Sequence, residues 1–203
     1  MRKEFIMGFD IYGLDPNLTS QRPTIDWDKA TEKDKEVYFK ALDEFEDANP
    51  GYYFRNNVWW WRPLAELIHD KCGDLLSDEQ KEGLHNNSGT EFDDDTALAI
   101  ARRLSDLIKD GYVSELEESI KANAKIASKH NKKIEKKLQD LKKEVEAIRP
   151  GENLAPKDYP FPYNNHWKEI YHEKSWDDSY PFAKANVEEF INFARHSGGF
   201  QIC

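Results

Sequence analysis

A chain of 203 residues can bury a core in one compact domain, alone or with an arm, and its 13% aromatic content supplies the side chains for one. A formal net charge of -10 with 33% charged residues speaks against nucleic-acid binding over the whole surface. No run reaches the apolar length of a membrane span, residues 1–7 lack the apolar stretch of a secretory signal, and Cys72 and Cys203 have no metal or redox spacing, so a soluble protein of a reducing cytoplasm is expected.

Residues 7–13 read as a strand with Phe9 and Ile11 on one face, and Met7 also reads as a possible initiator. Gly13, Asp15, Pro16 and Asn17 mark a turn. Thr31 with Asp34 predicts a capping box. The helix after it would bury Val37, Tyr38, Ala41, Leu42 and Phe45, and Asn49-Pro50-Gly51 would stop it.

The stretch 52–64, Tyr-Tyr-Phe-Arg-Asn-Asn-Val-Trp-Trp-Trp-Arg-Pro-Leu, is the most unusual part of the chain. Consecutive tryptophans cannot share a face: on a helix, Trp59, Trp60 and Trp61 fan through about 200°. Arg55 and Arg62 can stack on rings or clamp an anion, and Asn56 and Asn57 offer donors and acceptors. Pro63 suits the first turn of a helix, with Leu64, Leu67, Ile68 and Cys72 inward. Helix starts hold anions readily. Tyr53, Arg55, Asn56, Asn57, Trp59, Trp61 and Arg62, with Asn87 from a later loop, are therefore the candidate ligand-binding residues. The competing reading is that the tryptophans are core and the polar residues tie loops to backbone.

Ser77 with Gln80 predicts another capped helix. Residues 85–95 read as a polar loop in which Asp93, Asp94 and Asp95 either charge the start of the next helix or ligate a hard cation, although the spacing is not that of an EF-hand. That helix, over about 96–110, carries an apolar stripe of Ala97, Leu98, Ala101, Leu104, Leu107 and Ile108, with Gly111 as its C-cap. Ser114-Glu115-Leu116-Glu117 predicts the cap of a long helix reaching Arg149, roughly 50 Å in length. Its coiled-coil seam is Ala124, Ala127, Asn131, Ile134, Leu138, Leu141, Val145 and Ile148, with a lysine-rich outer surface. Residues 150–181 are too aromatic for a disordered linker and read as an ordered crossover with one helical turn near 167–174. His166 and His172 there are six apart, a spacing that does not pair them on a helix face. Asn186 with Glu189 predicts the cap of the last helix, and Phe200 and Ile202 a closing strand that pairs with Phe9 and Ile11.

Four pieces, residues 7–13, 53–64, the Asn87 loop with the helix after it, and 186–200 ending in Ser197-Gly198-Gly199-Phe200, resemble a family of uncharacterised bacteriophage and bacterial proteins. The resemblance covers both ends and the middle of the chain. It implies a small accessory or anti-defence role. Some members carry zinc-ribbon cysteine pairs between the long and last helices; here that region has no cysteine, so a zinc function there does not carry over.

The expected fold is α+β, mostly α, with about five or six helices, a small two-stranded terminal sheet and a long charged arm. The expected organisation is 1–113 as the first part of a single domain, 114–150 as the arm, and 151–203 as crossover, last helix and closing strand. The expected function is a non-enzymatic binding protein for a planar anionic, nucleotide-like ligand or an acidic host protein. It would have no catalytic or metal residues, no cofactor and no membrane partner, and nucleic acid would meet it only at the lysine-rich arm. The alternatives are a metal-dependent hydrolase or nuclease using the Asp93–Asp95 loop with His85, and a scaffold that self-associates through the arm.

Overall fold

The computed structural model describes residues 8–203; the expectations for residues 1–7, including Met7, lie outside them. The elements run β1 (Gly8–Gly13), α1 (Glu32–Ala48), β2 (Tyr53–Asn57), α2 (Val58–Cys72), α3 (Asp78–Gly83), β3 (Thr90–Phe92), α4 (Asp94–Lys109), α5 (Tyr112–Ile148), α6 (Tyr163–His172), α7 (Lys184–His196) and β4 (Phe200–Ile202). The fold is α+β, mostly α. The chain divides into two compact units, one running to Glu117 and resuming at Phe182, the other spanning Glu118–Pro181.

In the first unit the two chain ends pair as expected: Ile11 lies opposite Ile202 and Gly13 opposite Phe200. The sheet is larger than two strands, however. It has four antiparallel strands in the order β2-β1-β4-β3. β2 adds to β1 with Ile11 opposite Phe54, and β3 adds to β4 with Phe92 opposite Phe200. Because strand side chains alternate, Phe9, Ile11, Phe54, Phe92, Phe200 and Ile202 all reach one face, and all are buried. α2 and α7 pack on β1 and β2, and α4 packs on α2 and α7. Their buried stripes are Leu64, Leu67 and Ile68 of α2, Ile100 and Leu104 of α4, and Phe190 and Phe193 of α7.

Sheet and helices meet at Trp61. Its ring stacks on Phe9 with centroids 5.4 Å apart and meets Phe190 edge-on at 6.0 Å. Its indole N–H donates to the Leu84 carbonyl at 2.7 Å, so full burial leaves no polar atom unsatisfied. α2 starts at Val58, earlier than Pro63 suggests, because the Asn57 side chain accepts from the Trp59 and Trp60 N–H groups and caps it. Pro63 then sits inside the helix and removes the N–H that would bond the Trp59 carbonyl.

Other local expectations divide in the same way. The capping boxes at Thr31 and Ser77 form. Asn186 is no cap; α7 begins at Lys184, and Asn186 is turned to other use. α5 begins at Tyr112, directly after Gly111 at φ 84°, so Ser114 does not cap it. Of the predicted apolar face of α1 only Phe45 is buried. Val37 is exposed, and Tyr38 instead joins Trp27 and Phe39 in a surface aromatic cluster with centroids 5.4–6.0 Å apart.

In the second unit the α5 seam is buried at Ala127, Asn131, Ile134, Leu141 and Val145, while Ile148 is exposed. Asn131, its polar layer, donates to the Ser175 carbonyl at 2.8 Å and to Asp178, and accepts from the Ser175 N–H at 3.0 Å. Lys137 meets Glu173 at 2.8 Å and Lys174 meets Glu135 at 3.3 Å. The seam is thus used within its own unit, by the aromatic segment that follows it. That segment holds a ten-residue helix, α6, rather than a single turn. No helix among the described residues is long and apolar enough to cross a membrane.

Trp61→Ala should cost about 3–5 kcal/mol in urea unfolding, and Trp59→Ala less than about 1 kcal/mol. Gly51→Ala should cost about 1–3 kcal/mol, because a Cβ there would overlap the His196 carbonyl.

Candidate functional site

β2 divides the candidate residues between two environments. Phe54 and Asn56 face the core, whereas Tyr53 and Arg55 face the opposite side of the sheet. β1 contributes Asp10 and Tyr12 to that outer side, since Asp10 lies opposite Arg55 and Tyr12 opposite Tyr53. β4 adds Gln201, and β3 adds Glu91 opposite it.

Four of these side chains, Asp10, Tyr12, Tyr53 and Arg55, form one connected group. The Tyr53 hydroxyl donates to the Asp10 carboxylate, and Arg55 Nε comes within 3.5 Å of the same carboxylate. The Tyr12 and Tyr53 rings lie 5.1 Å apart, tilted by 35°. Tyr12 is 40% exposed and the Arg55 side chain 60%. Burial, and then the hydrogen bond to Asp10, push the Tyr53 phenol well above its ordinary pKa, so it stays a neutral donor. Burial first and the Asp10 charge second raise Tyr12 as well.

The other predicted site residues are placed elsewhere. Asn56 and Trp61 serve the core rather than a ligand, which corrects their assignment. Asn56 donates to the Asn186 side chain at 2.7 Å, and Asn186 donates in turn to the Trp60 carbonyl at 3.4 Å. This polar bridge fixes β2, α2 and α7 together. Asn57 is occupied as the cap of α2. The Asn87 amide donates to the Gly8 carbonyl at 3.1 Å and holds its loop against β1. Trp59 and Arg62, three residues apart on α2, share an exposed stripe; Trp59 is 42% exposed. The three tryptophans therefore run from exposed through half-buried Trp60 to fully buried Trp61.

Asp93 is the N-cap of α4, accepting from the Thr96 N–H at 2.8 Å, and that bond holds its carboxyl below the usual range. Asp94 and Asp95 lie in the first turn of α4, where carboxylates favour the helix dipole. His85 faces other partners: its Nδ1 lies 3.9 Å from Glu66, and its ring packs edge-on against His69. Two cavities of the first unit are also lined by other residues. One of about 470 Å³ lies between residues 23–30 and α1, and one of about 480 Å³ lies between α3 and the loop before β3.

Asp10 and Tyr12 are the outer-face residues that sequence reasoning missed. The alternation that turns Phe9 and Ile11 inward also turns Asp10 and Tyr12 outward, so the signal was present once β1 was recognised. Their partners on β2 required the pairing register.

Because folding raises the Tyr53 pKa, its contribution to stability is full below the ordinary value of 10.0 and is lost as pH rises through the folded value. Tyr53→Phe should lower stability by about 1 kcal/mol at neutral pH and lose less than the parent protein as pH rises above 10.0. Urea midpoints on either side of that pH check both outcomes. No protein-family model, no curated protein and no solved structure matches the chain.

Proposed function

We propose that this is a non-enzymatic binding protein that holds an acidic protein partner on the outer face of its four-stranded sheet. The observation that carries the reading is the Tyr12–Tyr53–Asp10–Arg55 group, exposed at Tyr12 and Arg55, on a sheet whose other face is packed with helices. Tyrosine and arginine are the residue types that dominate binding at protein interfaces. At 3.5 Å the Arg55–Asp10 contact is longer than a tight charge-assisted hydrogen bond. A partner carboxylate can take over that guanidinium while Asp10 keeps the Tyr53 hydroxyl. An exposed strand surface also suits a macromolecule better than a nucleotide, whose usual site is concave.

The setting we propose is the host cytoplasm, with the protein acting as a phage-type accessory against a defence component. That part of the reading rests on the resemblance of residues 7–13, 53–64, the Asn87 loop with the helix after it, and 186–200 to a phage and bacterial family.

Affinity capture from a host lysate tests the reading with three proteins: the parent chain, Arg55→Glu and Tyr12→Ala. Arg55→Glu places a carboxylate opposite Asp10 and Tyr12→Ala removes the contact with the Tyr53 ring, so each should cost about 1–2 kcal/mol and leave the chain folded, which urea unfolding checks. A partner held by the parent should be lost with either variant. Capture of the same proteins by Arg55→Glu would overturn the reading. A small anionic molecule that copurifies with the parent and is released by Arg55→Glu would replace the protein partner with a nucleotide-like ligand.

A further inference from the structure

On the far side of the Trp61 core lies a group of side chains that the outer sheet face does not use. Glu66, His69 and Asp70 sit on one turn of α2, where residues three and four apart share a face. One ligand atom from each lies within 4.8 Å of the other two. His69 Nδ1 is 3.7 Å from the Asp70 carboxylate. His85 reaches the same place from a second element, the turn after α3. Its Nδ1 lies 3.9 Å from Glu66 Oε1, and its ring centroid lies 5.8 Å from that of His69.

We infer that Glu66, His69, Asp70 and His85 form a binding site for a late first-row divalent cation of the Zn²⁺ type. Two imidazoles with two carboxylates are a borderline-soft donor set, which favours zinc and its neighbours over magnesium or calcium. Tetrahedral zinc with ligand bonds of about 2.0–2.1 Å needs donor atoms roughly 3.3 Å apart. The His69–Asp70 and His85–Glu66 separations are 3.7 and 3.9 Å, and the Glu66, His69 and Asp70 donor atoms lie within 4.8 Å of one another, so ion binding must draw the four side chains together. The imidazoles are 43% and 39% exposed, so an ion reaches them from solvent.

The backbone on both sides of this site is held by the core. Leu67 and Ile68, between Glu66 and His69, are buried. Leu84, next to His85, is fully buried, and its carbonyl accepts the Trp61 indole bond. The ion would clip the α3–β3 turn to α2, and it would do so on different residues from the proposed partner surface.

The test is calorimetric titration of the whole chain with ZnCl₂ and, separately, MgCl₂, together with Co²⁺ absorption spectra. The parent should bind one Zn²⁺ far more tightly than Mg²⁺ and give a visible Co²⁺ spectrum. His85→Ala and His69→Ala should each weaken Zn²⁺ binding at least about tenfold, and the double variant should abolish it. Metal-free melting temperatures of the variants should match the parent, since all four side chains are at the surface. Unchanged Zn²⁺ affinity in the double variant would overturn the site, because the ion would then be held by other histidines. Equal affinity for Mg²⁺ and Zn²⁺ would overturn the donor assignment.

Discussion

The bond from the Trp61 indole to the Leu84 carbonyl lies where the sheet, α2, α7 and the turn after α3 converge. A fully buried indole N–H without an acceptor would cost about 1–3 kcal/mol, so Trp61 can fill this space only if the chain delivers a free carbonyl there. Leu84 supplies it because α3 is one short capped segment that ends at Gly83. Trp61 in turn orients α2, and the Asn57 cap ties the start of α2 to the end of β2. The face that each residue of β2 presents follows from that connection.

The stretch 52–64 consequently does two jobs, divided by the alternation of β2 and the rotation of α2. Its inward members build the core, with Asn56 tolerated there because Asn186 satisfies it. Its outward members, Tyr53 and Arg55, meet Asp10 and Tyr12 in solvent. A ligand touching Arg55 cannot also touch Trp61. The density of polar and aromatic residues in the sequence therefore reports two neighbouring environments rather than one pocket.

What the sequence made legible follows from what is local. The Thr31 and Ser77 capping boxes are set by spacing within one element and formed; the α4 stripe is buried at Ala97, Ala101 and Leu104, and the α5 seam at Ala127, Asn131, Ile134, Leu141 and Val145. The pairing of Ile11 with Ile202 was readable because both strands alternate apolar residues near the chain ends. β2 was not readable as a strand, because one of its two inward residues is an asparagine whose partner lies far away in α7. β3 has three residues and is specified by its neighbour more than by itself. The apolar spacing of α1 showed which residues share a face, but not that no element covers Val37. His85 and Glu66 come from different elements, so no local spacing connects them.

The central claim is that the alternation of β2 and the rotation of α2 turn one half of the motif into the core and the other half to solvent. Chemical modification of the native protein, read by mass spectrometry at single residues, tests it most directly. An indole-oxidising reagent should modify Trp59 and spare Trp61 until the protein unfolds, and a tyrosine-nitrating reagent should reach Tyr12 in the native state. Modification of Trp61 at the rate of Trp59, or protection of Tyr12 in the isolated protein, would contradict the account.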